Sequence, residues 1–140
     1  MYLEDLNILD LCFGSGSISI EFLSRESGKL TSVDQNYNCI KHLKKICHEL
    51  QCIDEINIVK SELLKFLSNT EDTYDIIFSD PPYEFEGHEQ IHDITFSRNL
   101  LRKDGVLIIE HGKKTSLEHI THFQFMRIYG NVHFSFFFEE

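Results

Sequence analysis

Proline is scarce in this sequence. Only Pro81 and Pro82 occur, side by side, and no segment is rich in proline, glycine and serine. Because no linker is evident, residues 1–140 are expected to form one domain. No apolar run approaches the length of a membrane span, and no basic, apolar leader stands at the start. These absences predict a cytoplasmic protein with no membrane partner.

Basic residues are scarce as well. Lys and Arg number 13 against 23 Asp and Glu, which gives a formal net charge of −10. Affinity for a phosphate backbone comes mainly from Lys and Arg. The composition therefore argues against tight binding of nucleic acid by this chain alone, unless a local basic patch, a further segment or a partner contributes.

Metal-binding patterns are missing too. None of the four cysteines forms a C-x-x-C pair, and the eight scattered histidines have no carboxylate or thiolate that would complete a metal site. The sequence therefore predicts reduced thiols and no metal site.

Two hydrophobic periods alternate along the chain, one typical of buried strands and the other of helices. Strands are predicted over residues 7–12, 30–33, 56–59, 74–79 and 106–110, with a closing hairpin over 123–129 and 132–138. Helices are predicted over residues 17–25, 36–50, 62–67 and 91–101, and residues 113–119 fit a further helix. The residues expected to face inward are Ile18, Phe22 and Leu23 in the first helix and Ile40, Leu43, Ile46, Cys47 and Leu50 in the second. This alternation indicates an α/β fold, with helices on both faces of a mostly parallel sheet that ends in an antiparallel hairpin.

The turn after the first strand carries Asp10 and the run Gly14-Ser15-Gly16. The glycines allow a tight turn and close approach of a ligand to the backbone, although a plain strand-to-helix turn would need them too. A dinucleotide site requires G-x-G-x-x-G to seat a pyrophosphate, whereas Ser19 stands at the third glycine position. The carboxylate of Asp10 suits an ammonium group, so an amino-acid-like ligand is expected at this end.

Acidic residues also follow the next two predicted strands. Asp34 can accept hydrogen bonds from both ribose hydroxyls of a nucleoside, or it can cap the helix that follows. Glu62 can contact an adenine amine, or it can simply face the helix dipole. Both interpretations stay open at both positions.

The segment Asp80-Pro81-Pro82-Tyr83 ends the fourth predicted strand and is the most informative motif of the chain. Two prolines restrict φ and the residue before them, so the Asp80 carboxylate and a proline carbonyl can hold both hydrogens of an amino group. That contact aims the nitrogen lone pair at an electrophilic methyl group, and Tyr83 offers a face for a base. Catalysis then rests on positioning and electrostatics. Together the three segments predict S-adenosylmethionine beside a flat amine.

The order of these motifs resembles the class I methyltransferases, and more narrowly the RsmD family of bacterial ribosomal RNA guanine-N2 methyltransferases. The residues that carry the resemblance are Asp10-Leu11 with Gly14-Ser15-Gly16, the run from Glu21 to Arg25, Val33-Asp34, and residues 64–67, 74–78, 80–83 and 105–110. The resemblance implies a Rossmann-like fold, S-adenosyl-L-methionine as cofactor, guanine N2 as methyl acceptor, and small-subunit ribosomal RNA or the assembling subunit as partner.

The resemblance also implies roles for individual residues. Those expected to bind the cofactor are Asp10, Gly14, Ser15, Gly16, Asp34 and Glu62. Those expected to hold the guanine amine, with the base extruded from its stack, are Asp80, Pro81, Pro82 and Tyr83.

Departures from the family pattern keep two other functions open. Cys12-Phe13 stands where Phe-Ala is usual, which would place a bulky ring beside the cofactor, and Glu62 stands where Asp is usual. The family has a basic arm before its first strand. Residues 1–140 are expected to form a single catalytic domain that lacks this arm, and the protein is expected to be a monomer. The alternatives are methylation of adenine N6 or cytosine N4, which D-P-P-Y serves equally well, and a truncated or non-catalytic cofactor-binding domain.

Overall fold

The computed structural model describes residues 6–25, 28–82 and 85–139 of the chain. Over these residues, seven strands form one sheet in the order β3-β2-β1-β4-β5-β7-β6. The strands are β1 (Asn7–Leu11), β2 (Lys29–Asp34), β3 (Asn57–Lys60), β4 (Tyr74–Ser79), β5 (Leu101–Gly112), β6 (Phe123–Tyr129) and β7 (Val132–Phe138). The helices are α1 (Ser17–Ser24), α2 (Tyr37–Glu49), α3 (Leu63–Asn69) and α4 (His88–Ser97), with a 3₁₀ turn at Ile53–Glu55.

The sheet is parallel from β3 to β5 and antiparallel at its other end. β1 lies between β2 and β4, and all five of its residues are buried, as expected of a central strand with helices on both faces. β7 runs antiparallel to both β5 and β6. The predicted α/β fold, a mostly parallel sheet that ends in an antiparallel hairpin, is confirmed.

The helix α2 follows directly from its local sequence. The side-chain oxygen of Asn36 accepts hydrogen bonds from the N–H groups of Asn38 and Cys39, at 2.8 and 3.3 Å, which caps the helix. The predicted inward face is confirmed at Ile40, Leu43 and Cys47, all buried, because they recur at the spacing of one helix face. It is wrong at Leu50, which is 57% exposed because it is the C-cap and lies past the last helical residue.

The predicted inward face of α1 is wrong at Ile18, whereas Phe22 and Leu23 are partly buried and pack against the core as expected. Ile18 is 38% exposed, and Ser19 is the fully buried residue of this helix. Ser19 faces inward because its hydroxyl donates to Asp10 Oδ2 at 2.6 Å and lies 2.6 Å from Ser32 Oγ. Apolar periodicity does not detect a helix face that is anchored by hydrogen bonds.

Two further boundaries differ from the prediction. α4 ends at Ser97 rather than at residue 101, because Asn99 adopts a φ of 54°, a left-handed conformation that Asn tolerates better than most residues. The chain then enters β5 at Leu101, earlier than expected. Residues 113–119 form turns and irregular backbone instead of a helix, starting with a hydrogen bond of 3.2 Å from the Thr115 N–H to the Gly112 carbonyl.

None of the described helices has the length and apolar character needed to cross a bilayer.

Candidate active site

The carboxyl ends of β1 and β4 lie side by side, because the two strands pair in parallel with Leu11 opposite Ser79. The N–H of Asp80 donates to the Leu11 carbonyl at 3.3 Å. A cleft of about 530 Å³ opens at this edge, within the size range of small-molecule sites. Its lining residues are Cys12, Gly14, Asp34, Gln35, Asn36, Cys39, Asp80, Pro81 and Pro82. The structure therefore brings the glycine turn and the D-P-P segment into one cleft.

The glycine turn uses left-handed backbone at Cys12, Gly14 and Gly16, with φ of 57°, 55° and 85°. An added Cβ at Gly14 would meet no described atom within 4 Å, whereas one at Gly16 would lie 2.8 Å from Leu43 Cδ1. Gly14 therefore borders open space at the cleft, and Gly16 is required where α2 packs against the turn. Ser15 is exposed, and its hydroxyl lies 2.9 Å from Ser17 Oγ at the start of α1.

Phe13 lies in the core, 6% exposed, where it packs with Ile40, Leu43 and Cys47 of α2. The expectation of a bulky ring beside the cofactor is therefore wrong. Cys12 lines the cleft instead. Burial and then the charge of Asp34 raise the pKa of the Cys12 thiol to about 12, so this side chain is a neutral part of the cleft wall.

Asp10 is 1% exposed, and its Oδ2 accepts the hydrogen bond from Ser19. Burial raises the pKa of its carboxyl to about 7, the Ser19 hydrogen bond opposes this, and the charges of Asp80 and Asp34 add to it. Asp10 does not line the large cleft or either of the two smaller cavities beside it, among the described residues. Its contact with a cofactor ammonium stays a prediction. Ser19, which the sequence did not single out as functional, holds this carboxylate in place.

Asp34 fixes the glycine turn and also faces the cleft. Its Oδ2 accepts from the Gly14 N–H at 3.0 Å, and its Oδ1 accepts from the Asn36 N–H at 2.9 Å. A carboxylate oxygen can accept more than one hydrogen bond. The carboxylate therefore retains acceptor capacity for a ligand in the cleft that it lines.

Glu62 is the N-cap of α3. Its Oε2 accepts from the Leu64 N–H at 2.9 Å, and its Oε1 accepts from the Lys65 N–H at 3.1 Å. It also lines a second cavity of about 230 Å³, which shares Cys12, Gln35 and Pro82 with the larger cleft. Glu62 thus precedes the helix and caps it, instead of standing in the first turn, and its place on the cavity wall leaves the contact with an adenine amine open.

Asp80, Pro81 and Pro82 stand between the large cleft and a third cavity of about 120 Å³, because all three line both. The Pro82 carbonyl accepts from the Phe85 N–H at 2.9 Å, which fixes the end of the segment. Burial raises the pKa of Asp80, while a hydrogen bond with Glu110 lowers it. Tyr83 lies outside the described residues.

The third cavity contains Glu110, which the sequence had matched only as part of a strand. β4 and β5 are parallel, with Ser79 opposite Ile109, so the next residues along, Asp80 and Glu110, are neighbours. Burial and then the charge of Asp80 raise the pKa of Glu110 to about 7. The available signal was its position, since Glu110 stands near the end of a strand at the sheet edge that carries the other acids.

Two histidines complete this cavity. The rings of His88 and His111 are 6.1 Å apart between centroids. Burial and then the proximity of His111 lower the pKa of His88 to about 4, so His88 is neutral at physiological pH. His111 is hydrogen-bonded through both ring nitrogens, to Ser135 Oγ at 2.7 Å and to the Gly112 carbonyl at 3.0 Å.

Comparison with known proteins places the chain among methyltransferase relatives. Ribosomal RNA small subunit methyltransferase D of Haemophilus influenzae is 29% identical over 119 residues, which cover 83% of this chain and 62% of that protein. The methyltransferase D of Buchnera aphidicola subsp. Acyrthosiphon pisum is 31% identical over 117 residues, covering 83% and 61%. The chain thus spans about three fifths of the length of these curated relatives.

Solved structures and a family model agree with these relatives. The crystal structure of a proposed methylase from Haemophilus influenzae matches with a TM-score of 0.86 and 26% identity, covering 98% of this chain and 88% of that one. The model of the family described as conserved hypothetical protein 95 matches residues 1–138. The resemblance inferred from the motifs is therefore confirmed, and the chain belongs to this family.

Proposed function

We propose that this chain transfers the methyl group of S-adenosyl-L-methionine to the exocyclic N2 amine of a guanine in small-subunit ribosomal RNA. The observation that carries the proposal is the position of Asp80, Pro81 and Pro82, which line the large cleft on one side and the Glu110 cavity on the other. A cofactor in the cleft and a base in the cavity would meet at Asp80. The names of the relatives, ribosomal RNA small subunit methyltransferase D, support methyl transfer to small-subunit ribosomal RNA.

The residues of the cleft suit this cofactor, which supplies the electrophilic methyl group when bound. Asp34 would accept hydrogen bonds from the ribose hydroxyls, and Glu62 would contact the adenine amine from the adjoining cavity. Asp10 and the turn Gly14-Ser15-Gly16 would hold the amino-acid end, where the space beside Gly14 lets a ligand approach the backbone.

The D-P-P-Y segment would position the base amine. Asp80 and the Pro81 carbonyl would accept its two hydrogens, the fixed φ of Pro82 would hold both acceptors in place, and Tyr83 would stack on the base. The nitrogen lone pair then points towards the cleft. When the N–C bond forms, the amine must lose a proton, and a carboxylate whose pKa is raised by burial, as at Asp80, is suited to accept it on Oδ.

The partner in this proposal is ribosomal RNA or the assembling small subunit. Because the chain carries a net charge of −10, we propose that recognition depends on the local site and on the shape of the ribonucleoprotein more than on general attraction to phosphates. Residues 1–140 would act as one catalytic domain, as a monomer, in the cytoplasm.

Methyl transfer to small ribosomal subunits that lack the modification tests the proposal. With methyl-labelled cofactor, nucleoside analysis is expected to find the label on guanine N2. Asp80→Ala is expected to lower the rate at least about 100-fold while calorimetry still detects cofactor binding. A matched control is Asp54→Ala, an exposed carboxylate beside the start of β2, at the opposite edge of the sheet.

The other outcomes discriminate between the functions left open by the sequence. Label on adenine N6 or cytosine N4 would show that the methyl acceptor is adenine or cytosine and not guanine. Cofactor binding without any turnover would make the chain a non-catalytic binding domain. Either result contradicts transfer to guanine N2.

A further inference from the structure

We infer that Glu110 reads the N1–H of the target guanine, beside the N2 amine held by Asp80, and thereby selects guanine over bases that present an acceptor at that position. The inference rests on the proposed methyl transfer to guanine N2 and names the residue that decides which base is accepted.

The pairing of β4 with β5 places two acceptor groups together. Ser79 lies opposite Ile109, so Asp80 and Glu110 follow at adjacent positions, and both line the third cavity. An ionised carboxylate can only accept hydrogen bonds. Guanine presents adjacent donors at N1 and N2, whereas the amine of adenine or cytosine adjoins a ring nitrogen that accepts. Two neighbouring carboxylates therefore match the edge of guanine and oppose the edges of the other two amino bases.

The electrostatics of the pair fit the same ligand. Two adjacent carboxylates repel each other when both are ionised, and burial together with the charge of Asp80 raises the pKa of Glu110 to about 7. The other titratable groups that line the cavity, His88 from α4 and His111 from β5, have pKa values lowered by burial and bring no positive charge at neutral pH. Without a ligand, Glu110 therefore carries a proton for much of the time near neutral pH and shares it in a hydrogen bond with Asp80. Donor N–H groups of a base placed against both side chains would favour the form in which both are ionised and accept.

His88 independently indicates a ligand in this cavity. The residue lines the cavity, it is 6% exposed, and its Nδ1 has no hydrogen-bond partner among the described residues. Buried polar atoms without a partner are rare and destabilising. As its Nδ1–H tautomer, neutral His88 can donate to the guanine O6, which adjoins N1. The cavity then offers a donor for O6 and acceptors for N1–H and N2–H, which is the pattern complementary to guanine.

The nucleoside 2-aminopurine provides the test. It keeps the 2-amino group, but its N1 is an acceptor and it has no O6, so it loses the contacts of both Glu110 and His88, and a variant at Glu110 isolates the part that depends on N1. Once product analysis has located the labelled guanine, synthetic RNA fragments would carry either guanine or 2-aminopurine at that position. The wild type is expected to methylate guanine with a kcat/KM about 10- to 100-fold higher. In Glu110→Gln, the amide can donate to N1 of 2-aminopurine or accept from N1–H of guanine. The preference is therefore expected to fall at least about threefold below that of the wild type, and the part that remains reflects the O6 contact of His88.

Controls separate this inference from the proposed function. Glu118→Gln makes the same charge change at an exposed position and is expected to keep the wild-type preference. Calorimetry is expected to give equal cofactor affinity for the wild type and Glu110→Gln, because Glu110 does not line the large cleft among the described residues.

Each outcome is decisive. If the wild type labels no guanine N2, the proposed function fails, and this inference fails with it. If the wild type labels guanine N2 but uses 2-aminopurine equally well, the inference alone is overturned, and that comparison needs no variant to fold. An unchanged preference in folded Glu110→Gln overturns the inference as well.

Discussion

Alanine substitutions at Gly14 and Gly16 separate the two demands on the glycine turn, because both residues have positive φ but different surroundings. Alanine at either position costs about 1–2 kcal/mol in left-handed backbone strain. At Gly16 the new Cβ would also lie 2.8 Å from Leu43 Cδ1, and such overpacking costs a further ~1–3 kcal/mol. We therefore expect the free energy of unfolding to fall by about 2–5 kcal/mol in Gly16→Ala and by about 1–2 kcal/mol in Gly14→Ala.

Cofactor affinity is expected to suffer more in Gly14→Ala, although this variant loses less stability than Gly16→Ala. The Cβ at Gly14 would meet no described atom within 4 Å, yet this residue lines the large cleft, so the methyl group would occupy space that a ligand needs. We expect the affinity of Gly14→Ala for S-adenosylmethionine to fall at least about 10-fold. Urea unfolding measures the stability of the variants, and calorimetric titration with the cofactor measures their affinity.

Gly130 is the matched control for backbone strain. Its φ is +63°, and an added Cβ there would also meet no described atom within 4 Å, but it lies at the turn between β6 and β7. Gly130→Ala is expected to lose as much stability as Gly14→Ala and to bind the cofactor like the wild type. Equal affinity for Gly14→Ala and Gly130→Ala, or a Gly16→Ala variant as stable as Gly14→Ala, would refute the reasoning.

Three further expectations concern the acids of the site. The pKa of Asp10 is raised from 3.8 to about 7, so between these pH values the folded chain holds a proton that the unfolded chain releases. The free energy of unfolding should therefore fall by on the order of 4 kcal/mol as the pH rises across this range. Asp10→Asn should remove this fall, as measured by urea unfolding at several pH values. Ser19→Ala should cost about 1–3 kcal/mol and raise the pKa of Asp10 further, because the lost hydrogen bond lowers it, and an NMR titration of the Asp10 carboxyl would detect the shift. Glu62→Ala should cost about 1 kcal/mol through the lost cap of α3, whereas Glu62→Ser should keep the cap and lose only cofactor affinity; equal stability of these two variants would contradict the capping role.

Elements with strong local signals were predicted closely. β4 and both strands of the hairpin have the bounds expected from their apolar runs and from Gly130-Asn131. The face of α2 was predicted because its buried residues repeat at helical spacing. The burial of Ser19 in α1 and the end of α4 were missed, because the first depends on hydrogen bonds of Ser19 to distant residues and the second on the positive φ of Asn99.

The candidate site was predicted in the same uneven way. Residues in recognisable motifs, such as Gly14, Asp34 and Asp80, do line one cleft. Glu110 was missed although its position near a strand end offered a signal, because only the register of β4 and β5 makes it a neighbour of Asp80. His88 was missed because no short-range pattern marks a histidine at a helix start as part of a cavity.

By itself, the sequence determined the order of strands and helices, the turns that need glycine, and the family to which the chain belongs, because these depend on local propensity and on contiguous motifs. Only the tertiary structure decided which side chains share a cavity. Asp80 and Glu110 are 30 positions apart and become neighbours through the register of two parallel strands, and Phe13 points into the core while Cys12 faces the cleft. Burial in that arrangement, more than residue type, then sets the protonation of the acids at the site.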